Sequence, residues 1–202
     1  MEKPANAQYP IHDLLKRRWS PRAFSSQMVE PEKLRSLLEA ARWAPSSYNE
    51  QPWSFFIATR EDEAEYHRLL NCLVPGNLAW AQQAPVLMLS VAKLNFNHNG
   101  KPNRHAWHDV GQAVADLTLQ TTALGLVMHQ MAGFDPQRAR EQFHIPEDHE
   151  PVAMIAIGYS ASPDNLPEPL REKELQPRQR KALESFVFTG EWGKTALLVG
   201  QQ

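Results

Sequence analysis

The chain has 202 residues, of which 42% are hydrophobic and 22% are charged, a composition typical of a globular protein with one core. Its formal net charge of −2 offers no basic field for nucleic-acid phosphates, so we expect no DNA or RNA partner. No stretch of the sequence is both long enough and apolar enough to span a membrane. The N-terminal residues do not have the pattern of a secretory signal. We therefore expect a cytoplasmic protein without membrane attachment. Cys72 is the only cysteine, which excludes an internal disulfide, and a redox function would therefore need a cofactor.

Apolar spacing in the first 92 residues predicts helices that alternate with strands. The predicted elements are a short helix from Ile11 that ends at Pro21, a helix from Pro31 to Ala41 closed by Pro45, a strand at 53–59, a helix at 62–73 and a strand at 85–92. The last strand is almost continuously apolar, a pattern typical of a strand that is buried on both faces. We therefore expect a sheet with helices on both sides.

The second half continues the mixture of helices and strands. A long helix is predicted at about 107–124 with Gly125 as its C-terminal cap, followed by a strand at 126–130, a short helix that opens at Asp135 and a strand at 151–159. From about residue 160 the composition shifts to Pro, Glu, Arg and Lys. We expect a single domain over 1–202, with residues 160–202 as an arm that packs on its own subunit or on a second one.

The first candidate site is a basic cluster near the N-terminus. Arg17, Arg18, Ser20 and Arg22 place four groups that can bind phosphate within six residues. A phosphate monoester is bound best by guanidinium groups and hydroxyl donors, and each charge-assisted bond contributes about 1.5–3 kcal/mol. By spacing alone, the same cluster also fits a solvated basic face.

Two further clusters are each ambiguous when taken alone. Arg178, Arg180 and Lys181 form a second basic group, which is equally typical of a solvated face. A polar loop between Pro45 and Trp53 supplies hydroxyl and amide groups that both donate and accept, as the edge of a planar heterocycle requires. The loop residues with these groups are Ser46, Ser47, Asn49 and Gln51. An ordinary connection between a helix and a strand explains them equally well.

Together the clusters resemble a known family. Residues 18–24 and 44–53 are similar to the two N-terminal signatures of the FMN-dependent nitroreductase family. Further similar segments follow in the family's order at 76–77, 109–111, 133–134, 157–159 and 178–181. The resemblance covers nearly the whole chain.

The resemblance implies an α+β fold with a central mixed sheet covered by helices and a C-terminal arm that reaches a partner subunit. It also implies a homodimer with two FMN sites at the subunit interface. The implied contacts to FMN are Arg18, Trp19, Ser20 and Arg22 at the phosphate and pyrimidine edge, Arg178 and Arg180 at the phosphate, Asn77 at the pyrimidine, Ala132 and Gly133 near flavin N5, and Ser46, Ser47, Asn49 and Gln51 from the other subunit.

The implied activity is transfer of hydride from NADH or NADPH to FMN and of electrons to a flat electrophile such as a nitroaromatic or a quinone. No catalytic side chain and no metal are expected, because the flavin carries the chemistry. Trp19, Pro21 and Ala132 depart from the family pattern close to the ring, which leaves the nicotinamide and the oxidant open. The alternatives are an FMN carrier or sensor without turnover, and a flavin-dependent dehalogenase or flavin-cleaving relative.

Two other chemistries have weaker support. His105, His108 and Asp109 share a predicted helix, but no further ligand for a metal is apparent, so we expect solvated or capping roles. Residues 158–162 nearly match the nucleophile elbow of serine hydrolases. Ser162 stands where that motif needs glycine for its strained turn, which disfavours a hydrolase.

Overall fold

A computed structural model describes residues 2–200, so residues 1, 201 and 202 of the predicted domain lie outside the described part of the chain. In chain order its elements are α1 (Asp13–Arg17), α2 (Pro31–Arg42), β1 (Trp53–Thr59), α3 (Glu63–Leu70), α4 (Pro75–Ala81), β2 (Val86–Lys93), α5 (Ala106–Ala123), β3 (Val127–Met131), α6 (Pro136–Phe143), β4 (His149–Gly158) and α7 (Glu168–Leu175). Single 3₁₀ turns lie at Ser47–Asn49, Pro163–Asn165 and Leu183–Ser185. The predicted α+β class is confirmed, whereas one domain over 1–202 stays a prediction.

The four strands form one sheet in the order β1-β2-β4-β3. All three pairings are antiparallel, with Phe56 opposite Leu89, Leu89 opposite Met154, and Met154 opposite Met131. Within residues 2–200 the sheet is therefore antiparallel rather than mixed. Strand direction depends on how the connecting helices return the chain, which local periodicity does not report.

Helices cover both faces of the sheet, as the apolar pattern of β2 predicts. On one face, Leu87 and Leu89 belong to a buried cluster that includes residues of α3, α4 and α6. On the other face, Val86 and Met88 pack with buried residues of α2 and α5. The alternation along β2 places successive side chains on opposite faces, which is the reason for its continuous apolar run.

Several boundaries follow local backbone chemistry. Pro31 and Pro136 stand in the first turns of α2 and α6, where a missing N–H costs nothing. Gly125 has a φ of +73° just after α5, the left-handed conformation that glycine adopts without strain. The first helix ends at Arg17 rather than at Pro21, because Arg18 already has extended geometry, with φ −58° and ψ 125°.

Two helices were not predicted as such. The predicted helix at 62–73 corresponds to α3, which ends at Leu70, whereas α4 begins at Pro75, beyond the predicted range. Between them Leu73 forms an isolated antiparallel bridge with Phe134, which draws the chain out of helical geometry. The other is α7, in the arm where the composition showed little periodicity; only Glu174 of its eight residues is buried.

Candidate functional site

A basic cavity of about 250 Å³ lies between residues 18–22 and the arm that follows α7. It brings together two of the clusters singled out in the sequence, although they lie more than 150 residues apart. Six cationic side chains and one carboxylate line it, so the cavity is strongly electropositive. Its lining residues are Lys3, Arg18, Trp19, Ser20, Arg22, Lys173, Glu174, Gln176, Pro177, Arg178 and Arg180.

The guanidinium groups of Arg18, Arg178 and Arg180 line this cavity, close enough for their charges to interact. Burial lowers the pKa of Arg18, and the nearby charges of Arg178 and Arg180 lower it further. Burial and the charge of Arg180 also lower the pKa of Arg178. Arg18 Nη1 donates to Ser20 Oγ at 3.1 Å, which holds the guanidinium beside a hydroxyl. An anion in the cavity would relieve this repulsion and use both kinds of donor.

Glu174 is the buried carboxylate beneath the basic cavity. Its Oε1 accepts the backbone N–H of Arg22 at 2.8 Å and that of Ala23 at 3.2 Å. Its Oε2 lies 3.7 Å from Arg22 Nη1 and accepts no hydrogen bond from any residue in 2–200. Glu174 thus ties the arm to the 18–22 segment. The sequence analysis missed it, because it lies in a run of charged residues where nothing marks one as buried.

His129 of β3 supports the same segment from the sheet. Its Nδ1 donates to the Pro21 carbonyl at 2.9 Å, and its ring lies 4.6 Å from the Trp80 ring between centroids. Burial lowers the pKa of His129 to about 4, so the ring is neutral at pH 7. The sequence analysis missed this contact, which gives a structural role to the backbone of Pro21.

Asn77, at the start of α4, is in direct contact with Gly133, which follows β3. Asn77 Nδ2 donates to the Gly133 carbonyl at 3.0 Å, and the Val74 N–H donates to the same oxygen at 3.2 Å. A Cβ at Gly133 would lie 2.6 Å from Asn77 Nδ2 and 3.0 Å from Val74 Cγ2. The start of α4 therefore packs directly against the backbone that follows β3, and a side chain at residue 133 would require Asn77 to move.

The Ser46 to Gln51 loop is held by a buried carboxylate of α5. The Ser47 N–H donates to Asp109 Oδ2 at 3.0 Å, and Asp109 is only 2% exposed. The Gln51 N–H donates to Ser46 Oγ at 3.0 Å. Tyr48, Asn49 and Gln51 all have a φ between +51° and +54°. Left-handed backbone at three non-glycine residues is strained, and such strain is concentrated at functional loops.

This loop and the basic cavity lie at opposite edges of the sheet. The loop leads into edge strand β1, whereas the 18–22 segment contacts His129 of the other edge strand, β3. Two strands separate these edges, a distance of about 14 Å at the usual spacing of neighbouring strands. One copy of the chain therefore brings the two basic clusters together but not the polar loop.

The grouping of His105, His108 and Asp109 as metal ligands gains no support from the arrangement. His105 and His108 are exposed, while the carboxylate of Asp109 serves the Ser46 to Gln51 loop. Within residues 2–200, no three His, Cys, Asp or Glu side chains are grouped to hold a metal ion.

None of the helices in this part of the chain combines the length and the apolar character that a membrane crossing needs.

The fold of this chain is shared with a solved structure of substantial sequence identity. A crystal structure described as an oxidoreductase containing FMN has a TM-score of 0.88 and 33% identity to it, over 94% of this chain and 96% of that chain. The model of the nitroreductase family matches residues 15–159, more than half of the sequence. The chain belongs to the nitroreductase family, which confirms the resemblance seen in its sequence motifs.

Curated relatives extend the similarity over most of the chain. A protein named NADH dehydrogenase from Thermus thermophilus is 30% identical over 206 residues, covering 86% of this chain and 92% of that protein. Iodotyrosine deiodinase 1 of Mus musculus is 25% identical over 206 residues, covering 89% of this chain and 69% of that protein. These relatives have different names for their activities.

Proposed function

We propose that the protein is a homodimeric FMN-dependent oxidoreductase that uses NADH or NADPH to reduce a flat electrophile such as a nitroaromatic or a quinone. The observation that carries this proposal is the basic cavity, in which cations from two distant segments converge on a volume suited to a phosphate group. Membership of the nitroreductase family and the likeness to an FMN-containing oxidoreductase support the same cofactor.

The residues at the cavity fit the phosphate of FMN. We assign the phosphate to Arg18, Ser20, Arg178 and Arg180, because guanidinium groups and a hydroxyl supply the charge-assisted bonds that a phosphate monoester needs. Burial is the main cause of the lowered pKa values of Arg18 and Arg178, and the charge of Arg180 lowers both further, so a bound anion would be favourable beside them. Arg22 lies at the same cavity, where Glu174 balances part of its charge.

The remaining assigned residues would position the flavin ring. We assign Trp19 and Asn77 to contacts with the ring system and its pyrimidine edge, and the backbone of Ala132 and Gly133 to the region of flavin N5. Bound FMN would supply the acceptance and delivery of hydride, so no side chain is assigned as acid or base. A cation or N–H donor at the pyrimidine edge would favour any state of the ligand that carries extra negative charge there.

A second copy of the chain would complete the site. We assign Ser46, Ser47, Asn49 and Gln51 to the FMN of the partner, because they lie at the sheet edge opposite the basic cavity of their own chain. The end of the arm supports a dimer: Trp192 is 92% exposed, Leu197 is 95% exposed and Leu198 is 88% exposed. Apolar side chains so exposed are typical of a surface that another subunit covers.

The proposal is tested by the absorption spectrum of the purified protein, followed by anaerobic titration with NADH and NADPH. We expect a flavin spectrum that one or both nicotinamides bleach and that a quinone or nitroaromatic restores. FMN-loaded protein that neither nicotinamide bleaches would instead be a carrier or sensor. Dilution below the dimer dissociation constant should release FMN, and a monomer that retains its flavin would contradict the two-chain site.

A dehalogenase is the second candidate, favoured by the similarity to iodotyrosine deiodinase 1. It uses the same flavin site, so the two candidates differ only in the oxidant. A panel containing a nitroaromatic, a quinone and an iodinated tyrosine distinguishes them by which compound reoxidises the bleached protein. Faster reoxidation by the iodinated compound, with release of iodide, would favour the second candidate.

A further inference from the structure

The N-terminal segment reaches across the basic cavity to the arm. Lys3 Nζ donates to the carbonyl of Glu174 at 2.6 Å, although the two residues are 171 positions apart, and it also donates to the carbonyl of Gln176. These carbonyls belong to the last turn of α7 and to its C-terminal cap. A cation at that position is favourable, because the last carbonyls of a helix have no partners within the helix.

A second set of hydrogen bonds runs in the opposite direction, from the arm to the N-terminal part of the chain. Arg178 Nη1 donates to the carbonyl of Lys3 at 2.7 Å and to that of Lys16 at 3.1 Å. The Ala5 N–H donates to the same Lys16 carbonyl at 2.8 Å. Lys3 and Arg178 thus each hold the backbone of the other's segment. Within residues 2–200, the hydrogen bonds of the Arg178 guanidinium all use Nη1, which leaves its remaining N–H groups for an anion.

Trp19 supports the ammonium group of Lys3. Lys3 Nζ lies 5.1 Å from the centroid of the Trp19 ring, within the range of a cation–π interaction. Trp19 also lines the basic cavity. Burial lowers the pKa of Lys3, and the nearby charges of Arg178 and Arg22 lower it further while Glu174 opposes them, so the ammonium belongs to the electrostatics of the cavity.

We propose that Lys3, whose ammonium group lies over the Trp19 ring, is a positioning residue that fixes the arm beside the basic cavity and thereby holds Arg178 in place for a phosphate-bearing ligand. We call the hydrogen bonds from Lys3 Nζ to the carbonyls of Glu174 and Gln176 the staple. This inference rests on the proposed function in taking FMN as that ligand. Without the staple, the arm around Arg178 would have to be ordered when the ligand binds, and that entropic cost would weaken binding.

The test compares Lys3→Met with Lys16→Met, which removes the same charge from an exposed side chain of α1. We expect Lys3→Met to raise the Kd for FMN about tenfold and Lys16→Met to leave it nearly unchanged. Lys3→Arg, which keeps the charge and the donors, should restore most of the affinity. Equal Kd values for Lys3→Met and Lys16→Met would overturn the proposal.

A double-mutant cycle separates positioning from direct contact with phosphate. If Lys3 acts through Arg178, Lys3→Met should add little to the loss caused by Arg178→Ala. Fully additive losses would make Lys3 an independent phosphate ligand and would overturn the staple.

A trypsin assay without FMN keeps the inference separate from the proposed function. We expect cleavage after Arg178, Arg180 and Lys181 to be faster in Lys3→Met than in Lys16→Met, because the arm is released. Wild-type protein that does not bind FMN would contradict the proposed function, but faster cleavage would still support the staple. Equal cleavage rates would overturn the staple whether or not FMN binds.

Discussion

Asn77 Nδ2 donates to the carbonyl of Gly133 at 3.0 Å, and a Cβ added at Gly133 would lie 2.6 Å from that same nitrogen. A side chain at residue 133 would therefore displace the Asn77 amide from its present position. The family motif at 133–134 thus has a packing reason at its first residue, independent of any ligand.

Gly133→Ala should therefore displace Asn77 and destabilise the protein by about 1–3 kcal/mol, the usual cost of overpacking. If Asn77 contacts FMN, the variant should also bind flavin more weakly. Gly76→Ala is the matched control, because nothing lies within 4 Å of a Cβ there. Urea denaturation and flavin titration measure both effects, and identical behaviour of the two variants would contradict the packing argument.

Arg180→Ala should weaken FMN binding about thirtyfold, since loss of one charge-assisted bond costs about 2 kcal/mol. Arg180 is exposed, and the hydrogen bond that its guanidinium makes is to the neighbouring Gln179 carbonyl at 2.7 Å. Its removal should therefore leave the free energy of unfolding nearly unchanged. Arg35→Ala, on the exposed face of α2, is the control for loss of charge. Unchanged affinity in a fluorescence titration would remove Arg180 from the site.

Asp109→Ala should loosen the Ser46 to Gln51 loop, because it removes the buried acceptor of the Ser47 N–H. Loss of a buried hydrogen bond to a charged group costs about 1.5–3 kcal/mol. Asp116→Ala, on the same helix, serves as the control. If the loop contacts FMN in the partner subunit, Asp109→Ala should also accelerate flavin release. Loss of stability without any change in flavin release would separate the loop from the cofactor.

Glu174→Ala should be among the most destabilising changes in the arm, at about 3 kcal/mol, because the N–H groups of Arg22 and Ala23 lose their acceptor. Glu174→Gln retains an acceptor oxygen and should cost less. Exposed Glu172 of the same helix provides the control variant Glu172→Ala. Chemical denaturation ranks the three variants, and a neutral Glu174→Ala would show that the arm does not depend on this contact.

His129 makes a specific contribution to the pH dependence of stability. Its pKa is lowered from 6.5 to about 4 in the folded protein, so the unfolded chain binds the proton first as the pH falls. The contribution of His129 to the free energy of unfolding is therefore lost as the pH falls from 6.5 to 4, and it is fully present above this window. Between pH 7.5 and 5 the loss from this residue should be about 2 kcal/mol.

His129→Gln removes this titration and keeps a donor for the Pro21 carbonyl. Its free energy of unfolding should fall less than that of the wild type over the same pH interval, whereas exposed His108→Gln should behave as the wild type does. Equal pH slopes for His129→Gln and the wild type would show that the imidazole is not the titrating group.

The local elements were largely predictable, because they depend on neighbours in the sequence. The strand at 53–59 has the predicted bounds, and the long helix differs by one residue at each end. The exceptions have local or compositional causes. Pro75 starts a new helix inside an apolar run, and α7 places one buried residue among charged ones, so its pattern resembles an irregular arm.

Only the candidate site residues that belong to sequence motifs could be predicted from the sequence. Residues 18–22 and 178–180 were each ambiguous as basic clusters, and the family signatures alone linked them to one phosphate. Glu174, His129 and Lys3 had no comparable signal. Their roles consist of contacts to backbone atoms far away in the sequence, such as the Pro21 carbonyl and the Arg22 N–H.

From its sequence alone, the chain could be recognised as an α+β protein of the nitroreductase family with a basic cluster at residues 18–22, because periodicity and motifs are properties of neighbouring residues. Only the tertiary structure decided what that cluster faces. Packing of the arm brings Arg178 and Arg180 to it and places Glu174 beneath it, while the sheet order puts the Ser46 to Gln51 loop at the far edge. Such long-range arrangements depend on how whole elements pack, which no local pattern encodes.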